Sequence, residues 1–204
     1  RAVDHPARAA GAVPGAPLLQ VQGVSVRDGR GVTRVDGVSF NVRAGEIVAI
    51  AGVSGNGQSE LVEAIAGMIR PAAGIIRIAG HQLTAGDDAA SLRRHGLAHV
   101  PEDRHRMGLV TAFPAYENVL LGHHGDAAYG VGALINRERT VAATSALMAE
   151  FDVRPADPLL KTANFSSGNH QKLVIAREIA ANPEVLIAAQ PTRGFDIGAI
   201  AFIH

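Results

Sequence analysis

The apolar positions of this chain fall into short runs whose period changes along its length. From Leu18 the alternation in LLQVQGVSVRD, and again in VDGVSFNVR, predicts two strands around the turn-forming DGRG. EIVAIA, Glu46 to Ala51, is a continuous apolar run and predicts a strand buried on both faces. A glycine-rich loop over 52–57 follows, then a helix from Gln58 to about Ala66 closed by Gly67. GIIRIAG at 74–80 and LAHV at 97–100 predict further strands. Between about 110 and 165 the spacing becomes helical, in YENVLL and in NRERTVAATSALMAEF, where Val141, Thr144, Met148 and Phe151 fall on one face. VLIAA at 185–189 returns to the pattern of a buried strand. A helical insert therefore divides an α/β core whose parts lie far apart in sequence.

The first 17 residues, RAVDHPARAAGAVPGAP, show no apolar period and predict a linker. A transit peptide is the rival reading for an arginine-containing start, and the Pro and Gly residues argue against the amphipathic helix it needs. The remaining 18–204 form one expected domain, of a size that buries a core. Nineteen basic and nineteen acidic residues cancel, so no net field favours nucleic acid. The chain has no cysteine, which excludes disulfides and thiolate metal sites. No apolar run approaches the roughly 20 residues that span a bilayer. A start at Arg1 and an end at His204 inside an apparent helix suggest a fragment, poorly stable alone.

The most informative stretch is GVSGNGQS: Gly52, Val53, Ser54, Gly55, Asn56, Gly57, Gln58 and Ser59. Between a strand and a helix, such glycines let successive N–H groups point inward at phosphate oxygens, and the helix N-terminus adds its dipole. Ser59 offers a hydroxyl to Mg²⁺. Gln58 stands where a phosphate-binding loop carries lysine. An ammonium about 4 Å from a phosphate oxygen is worth about 4 kcal/mol at an effective dielectric of roughly 20, before desolvation. Glutamine donates a hydrogen bond without that charge, so nucleotide binding is expected to survive better than catalysis. A glycine-rich turn without function is the alternative.

FSSGNHQKLVIAREI, Phe165 to Ile179, resembles the signature sequence of ATP-binding-cassette (ABC) transporter ATPases, in the LSGGNQQK form of simple-sugar and nucleoside importers. VLIAAQPTRGFDIGA resembles that family's Walker B strand and D-loop, and VPEDRHRMGLV with AYENVLL resembles its Q-loop region. The resemblance runs from about Leu18 to His204 with the motifs in order. It implies a P-loop NTPase fold of the α/β class: an ABC nucleotide-binding domain with an antiparallel β edge and an inserted helical subdomain. It also implies ATP and Mg²⁺ as ligands and an upstream consensus cassette as partner. Further implied partners are transmembrane permease subunits and, indirectly, a substrate-binding protein, with a peripheral location on the cytoplasmic side of the membrane.

The resemblance assigns roles residue by residue. Ser166 and Gly168 keep the signature positions that approach a nucleotide held by the opposite cassette, whereas Ser167 replaces a glycine. Asp196 keeps the D-loop aspartate. Ala189 replaces the Walker B aspartate, and Gln190 replaces the glutamate that polarises the attacking water. With Gln58, three catalytic groups are absent from this cassette's own site, which implies a second, degenerate cassette whose signature completes its partner's site. Glu102 stands at the Q-loop glutamine and is a candidate Mg²⁺ partner beside Ser59, a solvated charge in EDRHR being the simpler reading. For this segment, a plain helix N-cap at Ser166 or Ser167 is the simpler reading.

Two rival classes remain: a structural, nucleotide-free pseudo-cassette, and a soluble ABC ATPase acting on nucleic acid or the ribosome. The second calls for basic patches, which the sequence lacks. His123 and His124, with Asp126, suggest a metal, but adjacent side chains diverge. The base-stacking aromatic of many cassettes has no evident counterpart near Val26 and Arg27, and the transported substrate is not legible in the sequence.

Overall fold

The computed structural model describes residues 14–131 and 134–191. They form two compact units: residues 14–99 with Pro183–Ala189, and Val100–Asn182 with Gln190 and Pro191. Most of the expected linker lies outside the described residues.

In the first unit, β1 (Pro17–Arg27) is the hub of an antiparallel sheet, flanked by β2 (Thr33–Arg43) and β3 (Ala73–Ile78). The two-residue β4 (His81–Gln82) pairs with the outer edge of β3. β1 changes phase in the middle. Leu19 and Val21 point into the core, then Val24 and Val26, so the alternation slips by one residue at Gly23. Gly23 sits at φ 59° where the register with both neighbours shifts, a bulge that lets one strand bury both apolar pairs. Helices α1 (Gln58–Ile65) and α2 (Ala89–Arg94) place Leu61, Ile65 and Leu92 against Ile76 and Ile78. Each fully buried aliphatic side chain of this kind is worth about 1.5–3 kcal/mol over exposure.

A separate pair of strands joins β5 (Leu97–Val100) to β8 (Val185–Ala188). Here and at EIVAIA the structure differs from expectation. Residues 46–53 have no strand assignment, and Ile47 is 96% exposed. A continuous apolar run becomes a doubly buried strand only when ladders form at both of its edges. Among the described residues none is built on this segment. β8 likewise buries only Val185, with Leu186 45% exposed, so it is covered on one face rather than two.

The second unit is mainly helical: α3 (Arg104–Met107), α4 (Ala115–Leu120), α5 (Arg137–Glu150) and α6 (Ser167–Ala180), of which the spacing predicts α4 and α5, with the short hairpin β6 (Gly130–Val131) and β7 (Leu134–Ile135). Its core gathers Val119, Met148, Val153, Phe165, Leu173 and Val174. The buried face of α5 is Thr140, Thr144, Leu147 and Met148, rotated from the expected stripe, so that Val141 and Phe151 sit at its half-buried margins. Thr140 reaches that face because its Oγ1 donates back to the Asn136 carbonyl at 2.9 Å, which satisfies the hydroxyl within its own turn.

Candidate functional site

The loop Gly52–Ser59 lies in the first unit and leads into α1. Its last glycine, Gly57, caps the helix at φ 92°, and Leu61 N–H donates to its carbonyl at 2.9 Å. Only glycine fits at 57, because a Cβ there would collide with the Arg34 carbonyl oxygen. Gly55 is also left-handed, at φ 88°, with open space around it. Residues 52–56 are exposed, so their backbone can meet a ligand.

Gln58 occupies this loop in a way its position alone does not foretell. Its side chain folds back, its Nε2 donates to the Val53 carbonyl at 3.3 Å, and it lies so close to Gly52 that a Cβ there would clash. Val53 O also accepts from Asn56 N–H at 3.3 Å. The amide therefore helps hold the loop's curvature without contributing charge. The loop is suited to phosphate oxygens through its backbone. The loop's exposed hydroxyl oxygens are those of Ser54 and Ser59, hard donors of the kind Mg²⁺ takes.

The signature segment opens α6 in the second unit. Ser166 is the N-cap, and its Oγ accepts from Asn169 Nδ2 at 2.9 Å and from Asn169 N–H at 3.4 Å. Asn169 in turn accepts from Arg154 N–H at 2.7 Å, tying the cap to the preceding loop. The capping role is thus real for Ser166. It leaves Gly168 unexplained: the nearest atom a Cβ there would meet is Ser166 Oγ at 4.0 Å.

A phosphate-type loop on one helix and a capped signature on another are the paired motifs of a known family, and comparison with known proteins agrees. The sequence profile of the ABC transporter family matches residues 35–193. The chain belongs to the ABC transporter family. The cassette is 44% identical over 193 residues to the guanosine import ATP-binding protein NupO of Bacillus subtilis (strain 168), covering 95% of this chain and 38% of that protein. It is 39% identical to the nucleoside import ATP-binding protein NupA of Lactococcus lactis subsp. cremoris (strain MG1363), over 100% of this chain and 40% of that one. The ribose import ATP-binding protein RbsA of Jannaschia sp. (strain CCS1) is 37% identical, with 100% and 38% covered. The cassette thus spans about two fifths of the length of these relatives. Among solved structures, a dimeric ATP-binding cassette in a post-hydrolysis state bound to ADP and phosphate superposes with a TM-score of 0.74 at 25% identity, covering 91% of this chain and 79% of that one. The fold is that of ABC cassettes, a P-loop NTPase fold.

In the cassette's second unit, Glu102 and Gln190 come together although 88 residues apart: Gln190 Nε2 donates to Glu102 Oε1 at 2.9 Å. Gln190 adopts φ 46°, a left-handed conformation that costs a non-glycine residue free energy. Asp196 lies outside the described residues. His123 is buried, with Nδ1 3.3 Å from an Asp126 carboxylate oxygen.

Sequence reasoning missed two organising side chains. Asn118 is fully buried in α4 and ties the 110–114 loop to Thr162. Arg177 in α6 donates to the carbonyls of Gly108 and Asn118 at 2.8 and 3.0 Å and pairs with buried Glu178 at 2.9 Å. The signal for both is a polar residue on an otherwise apolar helix face. His170 is a third such side chain. It is buried, and its Nε2 donates to Thr162 O at 2.6 Å, which leaves Nδ1 as the bare ring nitrogen. Burial first, and then His105 and Arg104, hold its pKa below the ordinary histidine value against the raising effect of the Thr162 bond.

Proposed function

We propose that this cassette is the degenerate ATP-binding half of an importer for nucleosides or simple sugars, and that its signature segment completes a hydrolytic site on a consensus partner cassette. The observation that carries this reading is Gly168. The chain's own packing leaves room for a side chain there, so the glycine answers to something that approaches from outside. A nucleotide held by an opposing cassette, met by Ser166 and Gly168 at the positive end of α6, is that approaching group. Asp196 would line the same seam.

The cassette's own loop, Gly52 to Ser59, would hold ATP through backbone amides, with Ser59 toward Mg²⁺. Its hydrolysis would be impaired because Gln58 brings no charge, Ala189 no metal ligand and Gln190 no base. The names of the relatives incline the substrate toward nucleosides. Their being import ATP-binding proteins makes permease subunits the membrane partners and the cytoplasmic face of the membrane the location. No helix among the described residues is long and apolar enough to cross a membrane.

In the assembled transporter, Gly168→Asp should cut ATP turnover by at least about tenfold, equivalent to about 1.4 kcal/mol. Ser59→Ala, at the cassette's own loop, should change it far less. The opposite ranking would overturn the proposal and assign hydrolysis to this cassette's own loop.

A further inference from the structure

Away from the nucleotide motifs, the first unit brings together His81, the first residue of β4, Asp87 in the loop before α2, and His95 at the C-cap of α2. His81 Nε2 lies 3.1 Å from Asp87 Oδ1. The His81 and His95 rings stack with centroids 3.7 Å apart and planes within 4°. One donor atom from each of the three residues lies within 4.8 Å of the others. We propose that His81, Asp87 and His95 bind a divalent transition-metal ion of zinc's class, through two imidazole nitrogens and one carboxylate oxygen, with a fourth position left to water.

The carboxylate is already oriented. Asp87 Oδ2 accepts from Thr84 N–H and Thr84 Oγ1, both at 2.8 Å, and Oδ1 accepts from Ser91 Oγ at 2.6 Å. Hydrogen bonds behind a ligating carboxylate fix its direction, as outer-shell groups do at metal centres. The same bonds, that from Ser91 foremost, hold the Asp87 carboxyl well below the usual carboxylate range, so the ligand is anionic. A metal ion would replace the proton between His81 and Asp87, with the His81 ring then carrying its hydrogen on Nδ1.

The stacked rings must open to share one ion, since nitrogens about 2.0–2.1 Å from a tetrahedral ion sit about 3.3 Å apart with converging lone pairs. His95 can supply that movement. It is exposed, while its backbone N–H stays anchored to the Ser91 and Leu92 carbonyls, so only its side chain has to turn. One carboxylate and two imidazoles favour zinc, nickel or copper over Mg²⁺ or Ca²⁺, which take oxygen ligands. Arg93 and Arg94 flank the site and oppose a cation, whereas Asp88 at the N-cap of α2 favours one. The ion would clip the left-handed turn at Ala79 and Gly80 to the end of α2, just ahead of β5.

The test is a Zn²⁺ titration of the protein followed by histidine ring ¹H–¹⁵N spectra, with calorimetry for affinity. Resonances of His81 and His95 should shift together at one equivalent, and millimolar Mg²⁺ should leave them in place. His95→Gln should weaken that binding by about 10–100-fold, as should Ser91→Ala through the orientation of Asp87, whereas His124→Gln should not. Unshifted His81 and His95 resonances in the native protein, or parental affinity in His95→Gln, would overturn the assignment. The ring spectra of the unsubstituted protein decide the matter even if a variant does not fold.

Discussion

Asn118 offers a sharp test of how the second unit is held. Its Nδ2 lies 2.7 Å from Thr162 Oγ1, 3.0 Å from Val110 O and 3.3 Å from the carbonyls of both Phe113 and Pro114. An amide has two hydrogens, so the two short contacts are the bonds and the two long ones share them. Its Oδ1 accepts from Val110 N–H at 2.8 Å. Asn118→Ala therefore removes three bonds worth about 1 kcal/mol each and leaves the Val110 N–H without its acceptor. A net loss of about 3 kcal/mol is expected, about a hundredfold in an equilibrium. Amide hydrogen exchange reads this directly: protection at Val110 should fall by about that factor, and protection at Thr162, whose N–H donates to Phe113 O at 2.8 Å, should fall with it. Asn118→Asp keeps the acceptor but turns a carboxylate toward carbonyl oxygens, so it should be no better than alanine. A change at Val110 below about threefold, under 1 kcal/mol, would refute the assignment of Asn118 as the tie.

Three further outcomes follow from the same geometry. Gly57→Ala forces a left-handed alanine and a collision with the Arg34 carbonyl, so ATP affinity should collapse and stability fall by more than about 1–2 kcal/mol; affinity within twofold of the parent would contradict the loop assignment. Because His170 is held neutral, the unfolded chain takes up a proton that the native one refuses. Stability should be intact above about pH 6.5 and decline as pH falls toward the lower native value. His170→Gln should flatten that decline between pH 7.5 and 5 in thermal melts, and an unchanged slope would assign it to other groups. Glu102→Gln should reduce the Mg²⁺ dependence of nucleotide affinity if the carboxylate serves the ion; identical affinity ratios with and without Mg²⁺ would discard that role.

Much of the first unit was legible because its signals are local. Gly67 closes α1 at φ 72° where the pattern ends, alternation locates β1 and β2, and the apolar GIIRIAG locates β3. EIVAIA was misread because an apolar run encodes a wish for burial, not the neighbours that grant it. The α5 face was rotated because Thr140 counts as polar until its hydroxyl is seen satisfied by its own helix. At the candidate site the residue types could be read, but not their arrangement. Nothing in GVSGNGQS says that Gln58 turns back onto Val53, and no spacing rule pairs Glu102 with Gln190 across 88 residues.

On the proposed reading of a degenerate site, that last pair constrains the order in which catalytic residues could be restored. Gln190→Glu made first would set two carboxylates at the 2.9 Å now spanned by an amide hydrogen bond. Like charges so close do not both ionise, and one would stay protonated, useless as a base near neutral pH. Glu102→Gln made first leaves two amides, which still bond to each other, and Gln190→Glu then regains a donor opposite its carboxylate. Repair of this cassette has a viable sequence of steps and a blocked one. On that reading, a return toward activity begins in the loop after β5, at Glu102, before Gln190 changes.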